Sequence, residues 1–158
     1  GAAVAAVQEK FPSVVKDGAV DRHALGEIVF HDKGKMAELE KILHPLVVTE
    51  ENAFIAEQEK QGHAVAVLEI PLLYETGAES RCDKVMVVTA PGFIQRRRVL
   101  KRKGMTPHKF RQILSLQMPD KEKRARADFV VQTGFGRAYS RKKIKAILDS
   151  LHAARNHS

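Results

Sequence analysis

The sequence predicts an α/β fold with a parallel sheet, because short apolar runs alternate with stretches of helical periodicity. Residues 64–70, 84–89 and 128–131 are nearly all apolar, which is typical of strands buried on both faces. The chain has 158 residues, 44% hydrophobic and 29% charged, the size and composition of one globular domain. Three strands make a thin sheet for this fold class, which indicates that strands are missing from it.

The helices are assigned from the spacing of apolar residues and from capping signals. Asp21 is a good N-cap, and Thr106-Pro107 is an N-cap and N1 pair. His44-Pro45 is expected to interrupt a helix, because the residue before a proline is pushed out of the helical region. A turn is expected at residues 16–19. The predicted helices cover residues 2–11, 21–30, 33–43, 46–60, 91–104, 106–117 and 137–152. The first of them begins without a lead-in, as though an upstream segment were missing.

Several classes of protein are disfavoured by what the sequence lacks. The lone Cys82 cannot form an internal disulfide, which suits a reducing cytosol, so a cytoplasmic location is expected. No apolar run approaches the roughly 20 residues of a membrane span. The sequence has no Cys/His cluster for zinc and no G-x-S-x-G motif. It also has no Walker A loop, since Gly34-Lys35 is followed by Met36 and Val29 stands where the first glycine should be.

The net charge of +8 is distributed unevenly along the chain. Residues 1–94 carry 9 basic and 15 acidic side chains, whereas residues 95–158 carry 18 basic and 4 acidic ones. This asymmetry predicts an anionic partner for the C-terminal half, and nucleic acid, a membrane surface and polyphosphate are all open.

Six of the eight residues from 96 to 103, here called the first basic cluster, are cations. On a helix, Arg98 and Arg102 would share a face, where two guanidinium groups match phosphate oxygens. A solvated basic face, a phosphate site and a nucleic-acid surface are the alternatives. The nucleic-acid alternative is weakened because Phe110 is the only aromatic residue between positions 95 and 126.

Other polar residues have a structural and a functional interpretation. The second basic cluster, at residues 121–126, fits a solvated helix or a phosphate contact, and residues 141–143 are expected to be surface. His44 could stabilise the helix break or contact a ligand. Glu69 and Glu75 flank a strand end, where a carboxylate could bind a metal or accept a backbone hydrogen bond. The loops that follow the predicted strands, where ligands of such folds bind, are residues 71–77, 90–92 and 133–136.

Taken in order, these segments resemble the dephospho-CoA kinase family over essentially all of residues 1–150. The most specific motifs are Leu43-His44-Pro45 and Pro71-Leu72-Leu73-Tyr74-Glu75-Thr76-Gly77. Further matching motifs are Gln95-x-x-Arg98-x-x-x-Arg102, Gln117-Met118-Pro119 and Ala127-Asp128-Phe129-Val130.

The resemblance implies a P-loop NTPase-like three-layer α/β/α fold with a helical CoA-binding domain and a lid. It implies residues 1–62 for the CoA-binding region, 63–94 with 127–158 for the nucleotide-binding core, and 95–126 for the lid. Members transfer the γ-phosphate of ATP to the ribose 3′-hydroxyl of dephospho-CoA, with Mg²⁺, in the last step of coenzyme A synthesis. The family begins with a strand, a Walker A loop and a second strand that ends in a catalytic aspartate. The present sequence shows none of these, so the chain alone is expected to be inactive.

The resemblance also implies roles for individual residues. Arg98 and Arg102 are implied to be catalytic, because they would neutralise the transferring phosphates. The substrate side is implied to include His44, Pro71, Leu72, Leu73 and Glu75. The nucleotide side is implied to include Arg98, Arg102, Lys123, Thr133 and Gly134. No residue of the chain is assigned as a metal ligand. ATP and dephospho-CoA are the expected partners, with neither nucleic acid nor a membrane, and the alternative is a non-catalytic module that binds RNA or another polyanion.

Overall fold

The chain divides into two units, Gly1–Ala66 and Val67–Ser158, in a computed structural model that describes residues 2–30 and 32–155. The boundary between the units falls within the predicted strand at residues 64–70. The expected regions, residues 1–62, 63–94 with 127–158, and 95–126, stay predictions.

The first unit is helical apart from a small hairpin. Val7, Phe11, Val14, Val29 and Leu39 form its buried core. Its elements are α1 (Ala2–Lys10), a 3-10 helix (Pro12–Val14), β1 (Val15–Lys16), β2 (Ala19–Val20), α2 (Arg22–Phe30) and α3 (Lys33–Lys60). The antiparallel strands β1 and β2 are joined by Asp17-Gly18, whose positive φ values of 50° and 73° suit a two-residue hairpin turn. The turn expected at residues 16–19 is therefore confirmed.

The helix α3 runs without a break from Lys33 to Lys60, so the interruption predicted at His44-Pro45 is wrong. Proline holds φ near the helical value, but it leaves the Lys41 carbonyl without its usual donor and its ring crowds that carbonyl. The Pro45 carbonyl is itself used, since the Thr49 hydroxyl donates to it at 2.9 Å. The helix packs against α1 and α2, and this tertiary packing outweighs the local penalty.

Aspartate side chains cap both α2 and α3. Asp21 Oδ1 accepts from the His23 and Ala24 amides at 3.0 and 3.1 Å, which confirms the predicted N-cap. The hydrogen bond from the Ala24 amide holds the pKa of the Asp21 carboxyl below its usual range. Asp32 Oδ1 accepts from the amides of residues 34 and 35 at 2.9 and 3.1 Å, a second cap of the same kind that was not predicted.

The second unit contains a two-stranded parallel sheet with helices. Its elements are a 3-10 helix (Ala78–Arg81), β3 (Met86–Thr89), α4 (Gly92–Leu100), α5 (Pro107–Ser115), α6 (Asp120–Arg126), β4 (Phe129–Gln132) and α7 (Arg137–Arg155). The two strands pair in register from Met86↔Phe129 to Thr89↔Gln132. The strands expected at residues 84–89 and 128–131 are therefore confirmed, together with the parallel direction of the sheet.

The predicted strand at residues 64–70 is not formed within the part of the chain that the structure describes. Its apolar character predicts burial on both faces, yet Val67 is 62% exposed. A strand exists only through hydrogen bonds to a neighbouring strand, and β3 is paired with β4 alone among the described residues. An apolar run therefore predicts a strand only when a partner is available.

Two helix ends differ from the predicted positions. The helix α4 ends at Leu100, and Arg102 lies in the turn that follows it, before Gly104 with φ 75°. Arg98 and Arg102 therefore do not share a face of α4, because Arg102 lies outside the helix. The helix α5 begins as predicted, with the Thr106 hydroxyl accepting from the Lys109 amide at 3.2 Å, but it ends at Ser115.

Candidate functional site

The carboxyl ends of β3 and β4 carry the polar groups of the candidate site. Both the amide and the hydroxyl of Thr133 donate to the Thr89 carbonyl, at 2.7 and 2.9 Å. The pairing of the parallel strands therefore continues one residue beyond β4. This fixes Thr133 at the edge of the sheet where ligands of parallel α/β folds bind.

Arg98 on α4 contacts the same loop. Its two terminal nitrogens donate to the hydroxyl and the carbonyl of Thr133, at 2.9 and 2.8 Å. A guanidinium group has five N–H donors, so these bonds fix its position while the other donors remain for an anion. The structure thus brings together Arg98 and Thr133, which the sequence assigned separately to the nucleotide side.

Gly134 is a glycine because the loop approaches α4 closely. A Cβ atom at this position would lie 3.0 Å from Pro91 Cδ and 3.4 Å from Ile94 Cδ1. These distances are too short for relaxed contacts, and the proline ring has little freedom to move away. The absence of a side chain therefore lets residues 133–134 pack against the start of α4 and stay within reach of Arg98.

An open pocket of about 610 Å³ lies beside this contact. Arg137 and Arg141 are one helical turn apart on α7, and both line the pocket together with Arg98. These two arginines were missed, although their spacing directly after the loop at residues 133–136 was visible in the sequence. Residues 141–143 were expected to be surface, and Arg141 is exposed while it lines the pocket. The full lining is Arg98, Thr133, Gly136, Arg137, Ser140, Arg141 and Ile144.

The turn at residues 71–77 contains an unusual backbone conformation. Leu72 has φ 57°, in the left-handed region that a bulky residue rarely adopts, and it is 39% exposed. Its carbonyl accepts hydrogen bonds from the Thr76 amide and hydroxyl, both at 3.0 Å, which hold the turn. Pro71 is exposed and Leu73 is half-buried. Strained residues of this kind cluster at functional sites, which agrees with placing a site at this turn.

Glu75 and Lys123 form a direct ion pair in the second unit. Glu75 Oε1 lies 2.7 Å from Lys123 Nζ and also accepts from the Met118 amide at 2.7 Å. Burial raises the pKa of the Glu75 carboxyl, but the bonds from Lys123 and Met118 outweigh burial and leave the pKa below its usual range. Glu75 was expected to bind substrate and Lys123 to bind nucleotide, and the structure places both in one contact.

A second pairing follows one turn further along both segments. Arg126 donates to Glu79 Oε1 at 2.5 Å, and its guanidinium group lies 4.5 Å from the centre of the Tyr74 ring. Burial raises the pKa of the Tyr74 hydroxyl. Beside these contacts, Asp120 accepts from the Thr89 hydroxyl at 2.6 Å and pairs with Arg124 at 2.9 Å. The helix α6 is therefore attached to the turn at residues 71–77, to the 3-10 helix that follows this turn, and to the end of β3.

The other predicted site residues make fewer contacts. Arg102 forms no ion pair or side-chain hydrogen bond within residues 2–30 and 32–155, and its side chain is exposed. His44 is exposed on α3 in the first unit. Both side chains are accessible to a ligand.

The described residues contain no preformed metal site. No group of three or more His, Cys, Asp or Glu side chains lies close enough to hold an ion in this part of the chain. A magnesium ion commonly takes most of its ligands from substrate phosphates and water, so it needs few protein ligands. Within the same residues, no helix is both long enough and apolar enough to cross a membrane.

These features define the class first: an α/β protein whose candidate anion site, with Arg98 and Thr133, lies at the carboxyl ends of parallel strands. Comparisons with known proteins give the family. The dephospho-CoA kinase family profile matches residues 1–136, so the chain belongs to that family. Members are transferases of the kinase type, and the resemblance stated from the sequence is confirmed, whereas the alternative of a non-catalytic polyanion-binding module is not favoured.

The relatives agree in sequence and in fold. The chain is 48% identical over 155 residues to the dephospho-CoA kinase of Mesorhizobium japonicum, and the alignment covers 98% of the chain and 79% of that protein. It is 47% identical over 153 residues to the dephospho-CoA kinase of Rhizobium meliloti, with 97% and 79% covered. The crystal structure of TT1252 from Thermus thermophilus matches with a TM-score of 0.67 at 32% identity, with 95% and 81% covered. Dephospho-CoA kinase from Campylobacter jejuni matches with a TM-score of 0.66 at 26% identity, with 94% and 77% covered.

Proposed function

We propose that the protein transfers the γ-phosphoryl group of ATP to the ribose 3′-hydroxyl of dephospho-CoA, with Mg²⁺ bound to the ATP phosphates. The observation that carries this proposal is the Arg98 guanidinium group, fixed on Thr133 at the carboxyl end of the sheet. Membership of the dephospho-CoA kinase family supplies the substrate class.

The arginine residues act by stabilising charge. Phosphoryl transfer spreads negative charge over the oxygens of the transferring group, so catalysis depends on positioned cations. Thr133 already orients Arg98, so binding phosphate oxygens would cost this side chain little further conformational entropy. Arg102 is unattached within the described residues and would reach the phosphates when the ligand is bound. Lys123 is a further cation on the nucleotide side.

The remaining residues shape the two binding sides. The family resemblance gives Thr133 and Gly134 a place beside the adenine of ATP, and the contacts of Thr133 with Arg98 and of Gly134 with the start of α4 support this role. The turn at residues 71–75 would form the floor on the substrate side, with Pro71, Leu72, Leu73 and Glu75. His44 is retained as a proposed contact of dephospho-CoA. Magnesium would arrive with ATP, and no step of this proposal runs through a protein-bound ion.

The proposal includes further strands that complete the sheet. The strand β3 has one unpaired edge among the described residues, and Val88 in its centre is 60% exposed. Val67 in the apolar run at residues 64–70 is exposed to a similar extent. A further strand at the open edge of β3 would complete its backbone pairing, and the helix that follows such a strand would cover the face on which Val88 lies. We infer that this position is taken by the first strand and its Walker A loop, with a second strand beside residues 64–70 that supplies the catalytic aspartate.

Two forms of the protein test the proposal. The 158-residue chain and the same chain preceded by the P-loop segment of a relative are incubated with ATP, Mg²⁺ and dephospho-CoA. CoA and ADP are followed by mass spectrometry. We expect CoA to be formed only by the form that carries the P-loop segment. Turnover by the 158-residue chain would disprove the need for that segment. If neither form makes CoA or binds dephospho-CoA, the proposed function is wrong.

The same preparations distinguish a polyanion-binding module. Such a module would bind mixed-sequence RNA with an affinity that falls steeply as salt is raised. The kinase proposal instead predicts saturable binding of dephospho-CoA that unlabelled RNA does not displace.

A further inference from the structure

Glu75 joins two segments that lie far apart in sequence. Its Oε1 atom accepts from the Met118 amide and from the Lys123 ammonium group, both at 2.7 Å. The Glu75 and Lys123 side chains are only 15% and 22% exposed. A lysine side chain has four flexible carbon–carbon links, so a partly buried carboxylate partner restricts where its ammonium group lies.

The carboxylate acts through a single oxygen. Glu75 Oε2 is buried and finds no hydrogen-bond partner among the described residues. Both Lys123 and Met118 therefore depend on the charge and position of Oε1. The lowered pKa of the Glu75 carboxyl keeps this oxygen anionic at neutral pH.

A neighbouring contact provides a comparison within the same interface. Glu79 lies four residues after Glu75, and it binds Arg126, which lies three residues after Lys123. Glu75 attaches the turn at residues 71–77 to α6, and Glu79 attaches the 3-10 helix that follows this turn to α6. Only Glu75 contacts a residue on the proposed nucleotide side.

We propose that Glu75 is a positioning residue for phosphoryl transfer: it holds the Lys123 ammonium group and the Met118 backbone in place, and contacts no reacting atom itself. This inference rests on the proposed function, because Lys123 acts on the nucleotide only if the protein is the kinase. It assigns the Glu75 side chain to the lid segment, while the rest of the turn at residues 71–74 faces the substrate side. A displacement of a charged group by about 1 Å can lower a rate by about 100-fold, so such a contact has a measurable effect.

Steady-state kinetics test the proposal in the form of the protein that turns over dephospho-CoA. Glu75→Gln is expected to lower kcat by about 10- to 100-fold, with the KM values for both substrates changed by less than about threefold. Glu79→Gln is the matched control, because it removes the equivalent charge without touching Lys123, and its kcat is expected to stay within about twofold. An equal loss of kcat in both variants would overturn the proposal, since both would then act through attachment of α6 alone.

A double variant shows whether Glu75 acts through Lys123. If it does, adding Glu75→Gln to Lys123→Met is expected to lower kcat no further than Lys123→Met does. A double variant whose loss is the product of the two single losses would overturn the proposal.

Amide hydrogen exchange gives a readout that does not depend on catalysis. Glu75→Gln is expected to speed exchange of the Met118 amide by about tenfold, because the acceptor loses its charge. Glu79→Gln is expected to leave that amide unchanged relative to its neighbours. Unchanged Met118 exchange in Glu75→Gln would overturn the positioning role, whereas absence of turnover in the form that carries the P-loop segment would contradict the proposed function instead.

Discussion

The two basic clusters are similar in sequence but differ in their partners. Of the four cations in the second basic cluster, three are paired with acids: Lys123 with Glu75, Arg124 with Asp120 and Arg126 with Glu79. In the first basic cluster, within residues 32–155, no cation pairs with an acid, and Arg98 is bound by uncharged oxygens of Thr133.

This difference separates structural charge from charge available to a ligand. An anion that approaches Arg124 or Arg126 must compete with carboxylates already in place, whereas the Lys123 ammonium group has further N–H donors beside its bond to Glu75. The first basic cluster keeps its positive charge, and an anion relieves repulsion among its members. The number of cations in a run therefore does not identify a phosphate site, because the acids that neutralise them can come from distant parts of the sequence.

The largest effect is expected from Arg98. Arg98→Ala should lower kcat for CoA formation by about 100- to 1000-fold, because one positioned donor to a developing anion is worth about that much. Arg98→Lys keeps the charge but loses the two-point contact with Thr133, so an intermediate loss is expected. Arg97→Ala is the matched control, since it removes an exposed cation of the same cluster, and it should stay within about twofold. Equal losses at positions 97 and 98 would show that only total charge matters.

A smaller effect is expected from the loop that holds Arg98. Gly134→Ala places a Cβ atom 3.0 Å from Pro91 Cδ, so the loop must move away from α4. Overpacking of this kind costs about 1–3 kcal/mol of unfolding free energy and should also weaken ATP binding. Gly92→Ala serves as the control, because a Cβ atom there meets nothing within 4 Å. Urea unfolding and ATP titration measure the two effects, and a Gly134→Ala protein as stable as Gly92→Ala would contradict the close contact.

Within the second basic cluster, a change at Arg126, which is not placed on the nucleotide side as Lys123 is, should affect stability and leave chemistry nearly unchanged. Arg126→Ala removes the bond to Glu79 and the contact with the Tyr74 ring, and a loss of about 1–2 kcal/mol is expected in urea unfolding. Arg124→Ala breaks only an exposed pair within α6 and should change stability by less than about 0.5 kcal/mol. A large fall in kcat without loss of stability in Arg126→Ala would place Arg126 beside Lys123 on the ligand side.

Local sequence patterns predicted the parts of the molecule whose causes are local. The Asp21 cap, the Asp17-Gly18 turn and the strands β3 and β4 follow from short-range chemistry. The continuity of α3 through Pro45 was not predicted, because packing against other helices decides it. The prediction of a strand at residues 64–70 was wrong for a similar reason, since a strand forms only by pairing with a neighbouring strand.

The candidate site shows the same division. Arg98 and Thr133 could be chosen from the motif and from the loop position, but their hydrogen bonds join residues 35 positions apart. The pairing of Glu75 with Lys123 spans a similar distance in sequence. Arg137 and Arg141 were overlooked because they lie in a helix rich in cations, and only the pocket beside Arg98 distinguishes them.

The smallest expected effect is a pH dependence that isolates Glu75. The folded-state pKa of its carboxyl lies below the unfolded value, so ionised Glu75 stabilises the fold above the unfolded pKa, about 4.3. This stability is lost as the pH falls through the folded pKa. The Asp21 and Asp128 carboxyls also have lowered pKa values and contribute to the same acid loss, so the unmodified protein alone cannot assign it.

Glu75→Gln resolves the assignment, because both proteins keep the other carboxyls. At pH 7 the unmodified protein should be the more stable of the two, and the difference in unfolding free energy should shrink steadily as the pH falls from the unfolded pKa through the lower folded pKa of Glu75. Urea unfolding at each pH measures this difference. A difference that stays constant on acidification would mean that Glu75 holds Lys123 and Met118 by shape, and the contrast between the clusters would then not rest on charge.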